Sequence, residues 1–191
     1  MNKGRLEAFS DGVIAILITI MVLGLAAPHD ASLAALRPLI PTFLSYVLSF
    51  TFLGIYWNNH HHLFQIIKHV DGRVLWANLH LLFWLSLIPF GAGWLGFTNF
   101  ATWPAVLYGT VLLFAAVAYS LLVRALLAVH EQDPALARAV GSDFKGNLSL
   151  ALYVIAIPLA FVSSWLACAV FVAVAGIWLV PDTRIERTIA H

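Results

Sequence analysis

Four long apolar stretches, at about residues 8–27, 39–60, 74–95 and 103–127, limit what this chain can fold into. A helix needs about 20 mostly apolar residues to cross a bilayer, and each stretch is about that long. A fifth apolar block, about 147–180, is too long for one span and short for two. Ser163-Ser164 near its middle offers a tight turn between two short helices. Six transmembrane helices are therefore expected. Only 10% of the residues are charged and 62% are hydrophobic, whereas soluble domains carry about 25% charged residues. The expected fold class is an all-α integral membrane protein. With short loops and no clear repeat, residues 1–191 are read as a single six-helix transmembrane domain.

The placement of charge tests the count and sets the orientation. With six spans and an inside N-terminus, the cytoplasmic segments are the N-terminal tail, the 61–73 loop, the 124–146 loop and the C-terminal tail. They hold Lys3, Arg5, Lys68, Arg73, Arg124, Arg138, Lys145, Arg184 and Arg187, nine of the ten Lys and Arg residues; only Arg37 falls outside. Lys and Arg concentrate in cytoplasmic loops, so both termini are expected in the cytoplasm of a multi-pass cell-membrane protein. Five spans would put Arg184 and Arg187 outside. Lys3 and Arg5 before an apolar run ending in Ala26-Ala27-Pro28 loosely resemble a cleavable signal. Asp11 would fall inside such a signal, so the segment is read as the first transmembrane helix.

Other classes are excluded on composition. A net charge of +1 gives no footing for nucleic acid. Cys168 is the single cysteine and is read as a small core residue. There is no cysteine pair for a structural zinc site and no glycine-rich phosphate loop. Neither a cofactor nor a resident metal is expected, and the chain is not read as an enzyme. Trp57, Trp76, Trp94, Trp103 and Trp165 lie near span ends, as an interfacial aromatic belt would place them. The polar 128–146 stretch reads as a cytoplasmic helical linker.

The first span opens with an acid, Asp11, in Phe9-Ser10-Asp11-Gly12. A carboxylate facing lipid is expensive, so an intramembrane acid faces a protein interior or a water-filled path. Topology puts Asn58, Asn59, His60, His61 and His62 at the same, cytoplasmic end of span two. Asn78 and His80 lie one to two turns into span three from that side. An Asp–His–Asn cluster there would satisfy each member's hydrogen-bonding demand and fix span one against spans two and three. The simpler alternative makes Asp11 a helix N-cap. The His60–His62 run also invites a metal, but consecutive helical positions point about 100° apart and converge poorly on one ion. One inward-facing histidine and two solvated ones is the preferred arrangement.

Ile16, Thr19, Ile20 and Leu23 share one face of span one at offsets of three, four and seven. A packing stripe explains this spacing, with Thr19 bonding back to the Ala15 carbonyl. The alternative is a pore wall in which apolar rings gate by dewetting. One copy has too little polar surface to line a pore, so that alternative requires an oligomer.

These residues resemble the prokaryotic members of the transmembrane protein 175 family, the endosomal and lysosomal potassium channels. The likeness rests on Arg5 with Phe9-Ser10-Asp11 and Ala15-Ile16-Leu17-Ile18-Thr19. It also rests on Trp57-x-x-His60-x-x-Leu63-Phe64, and on Asn78 eleven residues before Pro89. It covers essentially the whole chain. The resemblance implies a homotetramer in the lipid bilayer with span one of each subunit around a central axis, conducting potassium ions. It implies Ile16 as the hydrophobic constriction, Ile20 and Leu23 as further rings, and Thr19 as a hydroxyl ring contributing to selectivity. It implies Arg5, Phe9, Ser10, Asp11, His60 and Asn78 as a structural polar network. No Thr-Val-Gly-Tyr-Gly-like filter is present, so tight carbonyl selectivity is not expected. The competing readings are a proton-coupled transporter with an Asp–His relay, and a metal-binding membrane enzyme using Asp11 and His60–His62. A binding cavity within each subunit would favour the transporter.

Overall fold

The computed structural model of the chain describes residues 3–130 and 143–179. Helix α1 runs Lys3–Ile20 and tightens into a 3₁₀ turn over Met21–Gly24; a second 3₁₀ segment, Leu33–Leu39, leads into α2, Ile40–Ile66. Then come α3 (Gly72–Ser86), α4 (Ile88–Phe97), α5 (Thr102–Val129), α6 (Phe144–Val162) and α7 (Ser164–Leu179). Five stretches are long and apolar enough to cross a membrane: Lys3–Gly24, Leu33–Ile66, Gly72–Phe97, Thr102–Val129 and Phe144–Val162. With the shorter apolar α7 they make six. The break inside the last block falls at Ser163, whose extended backbone (φ −159°, ψ 117°) separates α6 from α7.

Three boundaries differ from the sequence expectation. The 74–95 stretch is two helices, because Pro89 has no N–H and cannot bond the Leu85 carbonyl. The Leu87 N–H turns back to the Trp84 carbonyl (3.2 Å), and the ladder resumes from Gly91 N–H to the Leu87 carbonyl (3.0 Å). Helix α2 does not end near residue 60; it continues to Ile66, so the connection is 67–71 rather than 61–73. Lys3 Nζ from α1 donates to the Gln65 and Ile67 carbonyls at the end of α2 (3.3 and 3.1 Å), a cation meeting otherwise unpaired C-terminal carbonyls. Asp71 then caps α3, accepting the Val74 N–H at 2.9 Å. Finally, α1 is α-helical only to Ile20, so Leu23 follows it on a tighter turn. Residues 131–142 of the expected 128–146 linker, and the charges Arg138, Arg184 and Arg187, lie outside the described residues.

Helix α5 packs against α3, α4, α6 and α7; α2 packs on α4 and α7; α1 lies on α2 and α3. Small residues bring the backbones close, as is usual between membrane helices. A Cβ on Gly96 of α4 would stand 2.5 Å from Thr42 Cα and from Ser45 Oγ of α2. Buried Tyr108 of α5 shares a 2.8 Å hydrogen bond with Ser49 of α2. Cys168 is buried in the core.

Candidate functional site

Helix α1 has two unlike faces. Leu6, Ser10 and Ile14, spaced four apart, are buried against α2 and α3. From this face a chain of hydrogen bonds crosses three helices. Ser10 Oγ donates to the Leu6 carbonyl at 2.9 Å, within α1. Asn78 Nδ2 of α3 donates to Ser10 Oγ at 2.9 Å. His60 Nε2 of α2 lies 2.8 Å from Asn78 Oδ1. Because Ser10 gives its proton to Leu6, Asn78 must present its amide N–H to Ser10 and its oxygen to His60, so His60 carries its proton on Nε2. All three side chains are fully buried. His60 also stacks on Phe64, ring centroids 4.3 Å apart.

Asp11 is inside α1, which removes the N-cap reading. It does not bond His60. Its Oδ1 accepts the indole N–H of Trp57 at 3.1 Å, and Trp57 stacks on His61 with rings 15° from parallel. His61 Nδ1 lies 3.3 Å from Glu7 Oε1, and its Nε2 is 2.8 Å from the Gln65 amide nitrogen. Among the three histidines, His60 is fully buried, while His61 and His62 are only part-buried. Arg5 and Phe9 lie on the exposed side of α1, outside the bonded chain. Each precedes an inward residue by one position, and a step of one rotates a side chain about 100° around the helix.

Two participants escape a sequence reading. Trp57 looks like an interfacial aromatic until its N–H is found on Asp11. Glu7 looks like a solvated acid, yet it stands one helical turn before Asp11, and that spacing was the available signal for a shared face.

The opposite face of α1 is left uncovered by the described residues. Ile16 is 62% exposed, Ile20 48% and Leu23 78%, with Thr19 exposed between them. The Thr19 hydroxyl donates to the Ala15 and Ile16 carbonyls, both at 3.0 Å. That bond consumes the proton and leaves the oxygen lone pairs free, so the back-bonded rotamer can still offer an acceptor to a cation. Within one chain, a cavity of about 40 Å³ lies between α2, α5, α6 and α7, lined by Tyr56, Asn59, Tyr119, Asp143, Ser149 and Tyr153. That is room for a few waters. A larger and more open cavity of about 600 Å³ lies between the end of α1, α2 and α4, lined by Ile20, Met21, Thr42, Tyr46, Phe90 and Trp94.

A family model described as endosomal/lysosomal potassium channel TMEM175 matches residues 5–89. A protein of Chryseobacterium sp. (strain P1-3) named as a potassium channel is 50% identical over 189 residues, covering 99% of this chain and 98% of its own length. The chain belongs to the TMEM175 family. A Streptomyces collinus relative, also named as a potassium channel, is 34% identical over 184 residues, 88% of each chain. The TMEM175 fold itself is matched by a crystal structure of a lysosomal potassium-selective channel TMEM175 homolog from Chamaesiphon minutus. It has a TM-score of 0.78 and 29% identity, and the match covers 93% of this chain and 96% of that one.

Proposed function

We propose that this chain is one of four identical subunits of a potassium-permeable channel, with α1 of each subunit facing a central path. The whole chain then acts as one six-helix unit, in the cell membrane with both termini in the cytoplasm. The observation that carries this reading is the division of α1 into a bonded face and an uncovered face bearing Ile16, Thr19, Ile20 and Leu23. Four copies would turn that face into rings. The Ile16 ring, with Ile20 and Leu23 beyond it, would be an apolar constriction that opposes ions by excluding water. Four Thr19 oxygens, already oriented by their backbone bonds, would replace part of a cation's hydration shell. They carry no net charge, so discrimination against sodium is modest. The Ser10–Asn78–His60 chain would hold α1 at a fixed rotation, with Asp11 and Trp57 beside it.

The relatives' names support potassium as the permeant ion. No catalytic role is assigned, and the larger cavity within one chain is lined almost wholly by apolar and aromatic side chains, with no carboxylate or histidine to bind or relay a proton. Purified protein in liposomes tests the proposal. Potassium release down its gradient, exceeding sodium release under matched conditions, is expected. Folded protein that moves protons but not potassium would overturn it in favour of the proton-coupled transporter.

A further inference from the structure

We propose that Glu7, Asp11 and His61 form a binding site for a divalent transition-metal ion of the zinc class, bridging α1 and α2. The inference does not depend on conduction. Each residue offers one ligand atom, and the three atoms lie within 4.8 Å of one another. His61 Nδ1 and Glu7 Oε1 are 3.3 Å apart. Two ligands on one tetrahedral zinc, each about 2.0–2.1 Å from the metal, stand about 3.3 Å apart, so this pair already spans a coordination edge. Asp11 is one turn from Glu7 on the same helix face and closes in by rotating its carboxylate. Among the described residues its Oδ1 is engaged by Trp57.

The imidazole is held for this role. Stacking on Trp57 fixes the ring plane, and the Gln65 amide holds Nε2. Nδ1 is shut off from solvent and, despite its closeness to Glu7, makes no hydrogen bond of adequate geometry. Metal binding takes the Nδ1 lone pair and places the ring proton on Nε2. Turning the Gln65 amide end for end then presents its oxygen to that proton, the outer-shell partner a metal-bound histidine ordinarily has. One nitrogen and two carboxylates suit zinc, cobalt or nickel. Magnesium and calcium take oxygen ligands, so the imidazole disfavours them. Glu7 and His61 remain 21% and 34% exposed, which leaves an approach for the ion and space for a water to complete the coordination. A plain Glu7–His61 ion pair uses one carboxylate, while Trp57, bonded to Asp11 and stacked on His61, holds the second carboxylate beside the same imidazole.

The test uses full-length protein purified through an affinity tag free of histidine, with zinc chloride titrated against a chelating fluorophore. One zinc per chain is expected. His61→Ala and Glu7→Gln should each weaken binding tenfold or more, while His29→Ala leaves it unchanged. X-ray absorption on the zinc-loaded unsubstituted protein reads the same claim without a variant, and one imidazole with oxygen ligands is expected. Absence of zinc binding, binding that survives both substitutions, or a zinc shell without imidazole overturns the site.

Discussion

The two faces of α1 differ in what keeps them in place. On the inner face a small polar residue, Ser10, sits between Leu6 and Ile14 and is tied by hydrogen bonds to α3 and, through Asn78, to α2. On the outer face large aliphatic side chains stand exposed among the described residues, interrupted by one hydroxyl. In water such an outer face would be a defect. In a bilayer it is permitted, so exposure alone does not separate a surface that faces lipid from one that faces an axis. The inner face sets how α1 is rotated, and the rotation decides which residues the outer face presents. Substitutions on the two faces should therefore fail in different ways.

The largest effect is expected at Asn78, where one side chain serves two buried partners. Asn78→Ala strands both Ser10 and His60, at about 1–3 kcal/mol for each unsatisfied group. A marked fall in melting temperature and loss of the oligomer on size-exclusion chromatography are expected. An unchanged melting curve would show that the bonded face does not hold α1. Ile16→Asn should do the reverse. Stability stays near that of the parent, and potassium flux into vesicles rises, on the order of tenfold, as a wetted ring replaces an apolar one. Flux unchanged in a folded oligomer would place the outer face against lipid.

Thr19 gives a smaller contrast. Thr19→Val keeps the shape and removes the oxygen, so the potassium-to-sodium permeability ratio should fall by about a few fold, whereas Thr19→Ser retains it. Reversal potentials in mixed solutions measure this, and equal ratios for parent and Thr19→Val would place selectivity elsewhere. Asp11 gives the smallest. Asp11→Ala removes the acceptor of the Trp57 N–H and should cost about 1 kcal/mol, while Asp11→Asn keeps an oxygen there and should cost less. Both variants lack the charge, so equal denaturation midpoints would mean that charge, rather than the Trp57 bond, fixes that residue.

Much of this architecture can be read from sequence because a bilayer makes length and hydropathy decisive. Four apolar stretches and a fifth, over-long block follow from those alone, and the serine pair at 163–164 with the Lys and Arg placement divides that block in two. Antiparallel threading also predicts that Asp11, His60 and Asn78 reach one end of the bundle, although the bonded partner from α1 is Ser10 and not Asp11. What escapes is rotation about each helix axis. A membrane helix can be apolar on nearly every side, so hydropathy does not say that Arg5 and Phe9 point away while Ser10 points in. Nor does it place His61 rather than His62 beside Glu7, and the acid on another helix is what turns an unpromising histidine run into a candidate cation site. The extension of α2 to Ile66 was hidden for a related reason. Its polar end, Asn58 to Gln65, looks like loop until Lys3 is found bonding its last carbonyls. The α3–α4 break, by contrast, was signalled by Pro89.

Cysteine accessibility along α1 tests most directly whether its outer face lines an ion path. The native Cys168 is buried, which leaves a quiet background for single substitutions. A positively charged thiol reagent applied to channels in liposomes should abolish potassium flux through Leu23→Cys and reduce it through Thr19→Cys. Flux through the inner-face variant Ile14→Cys should be untouched. Potassium flux that is insensitive at Leu23 and Thr19, with both thiols shown to be labelled, would contradict a conduction path along this face of α1.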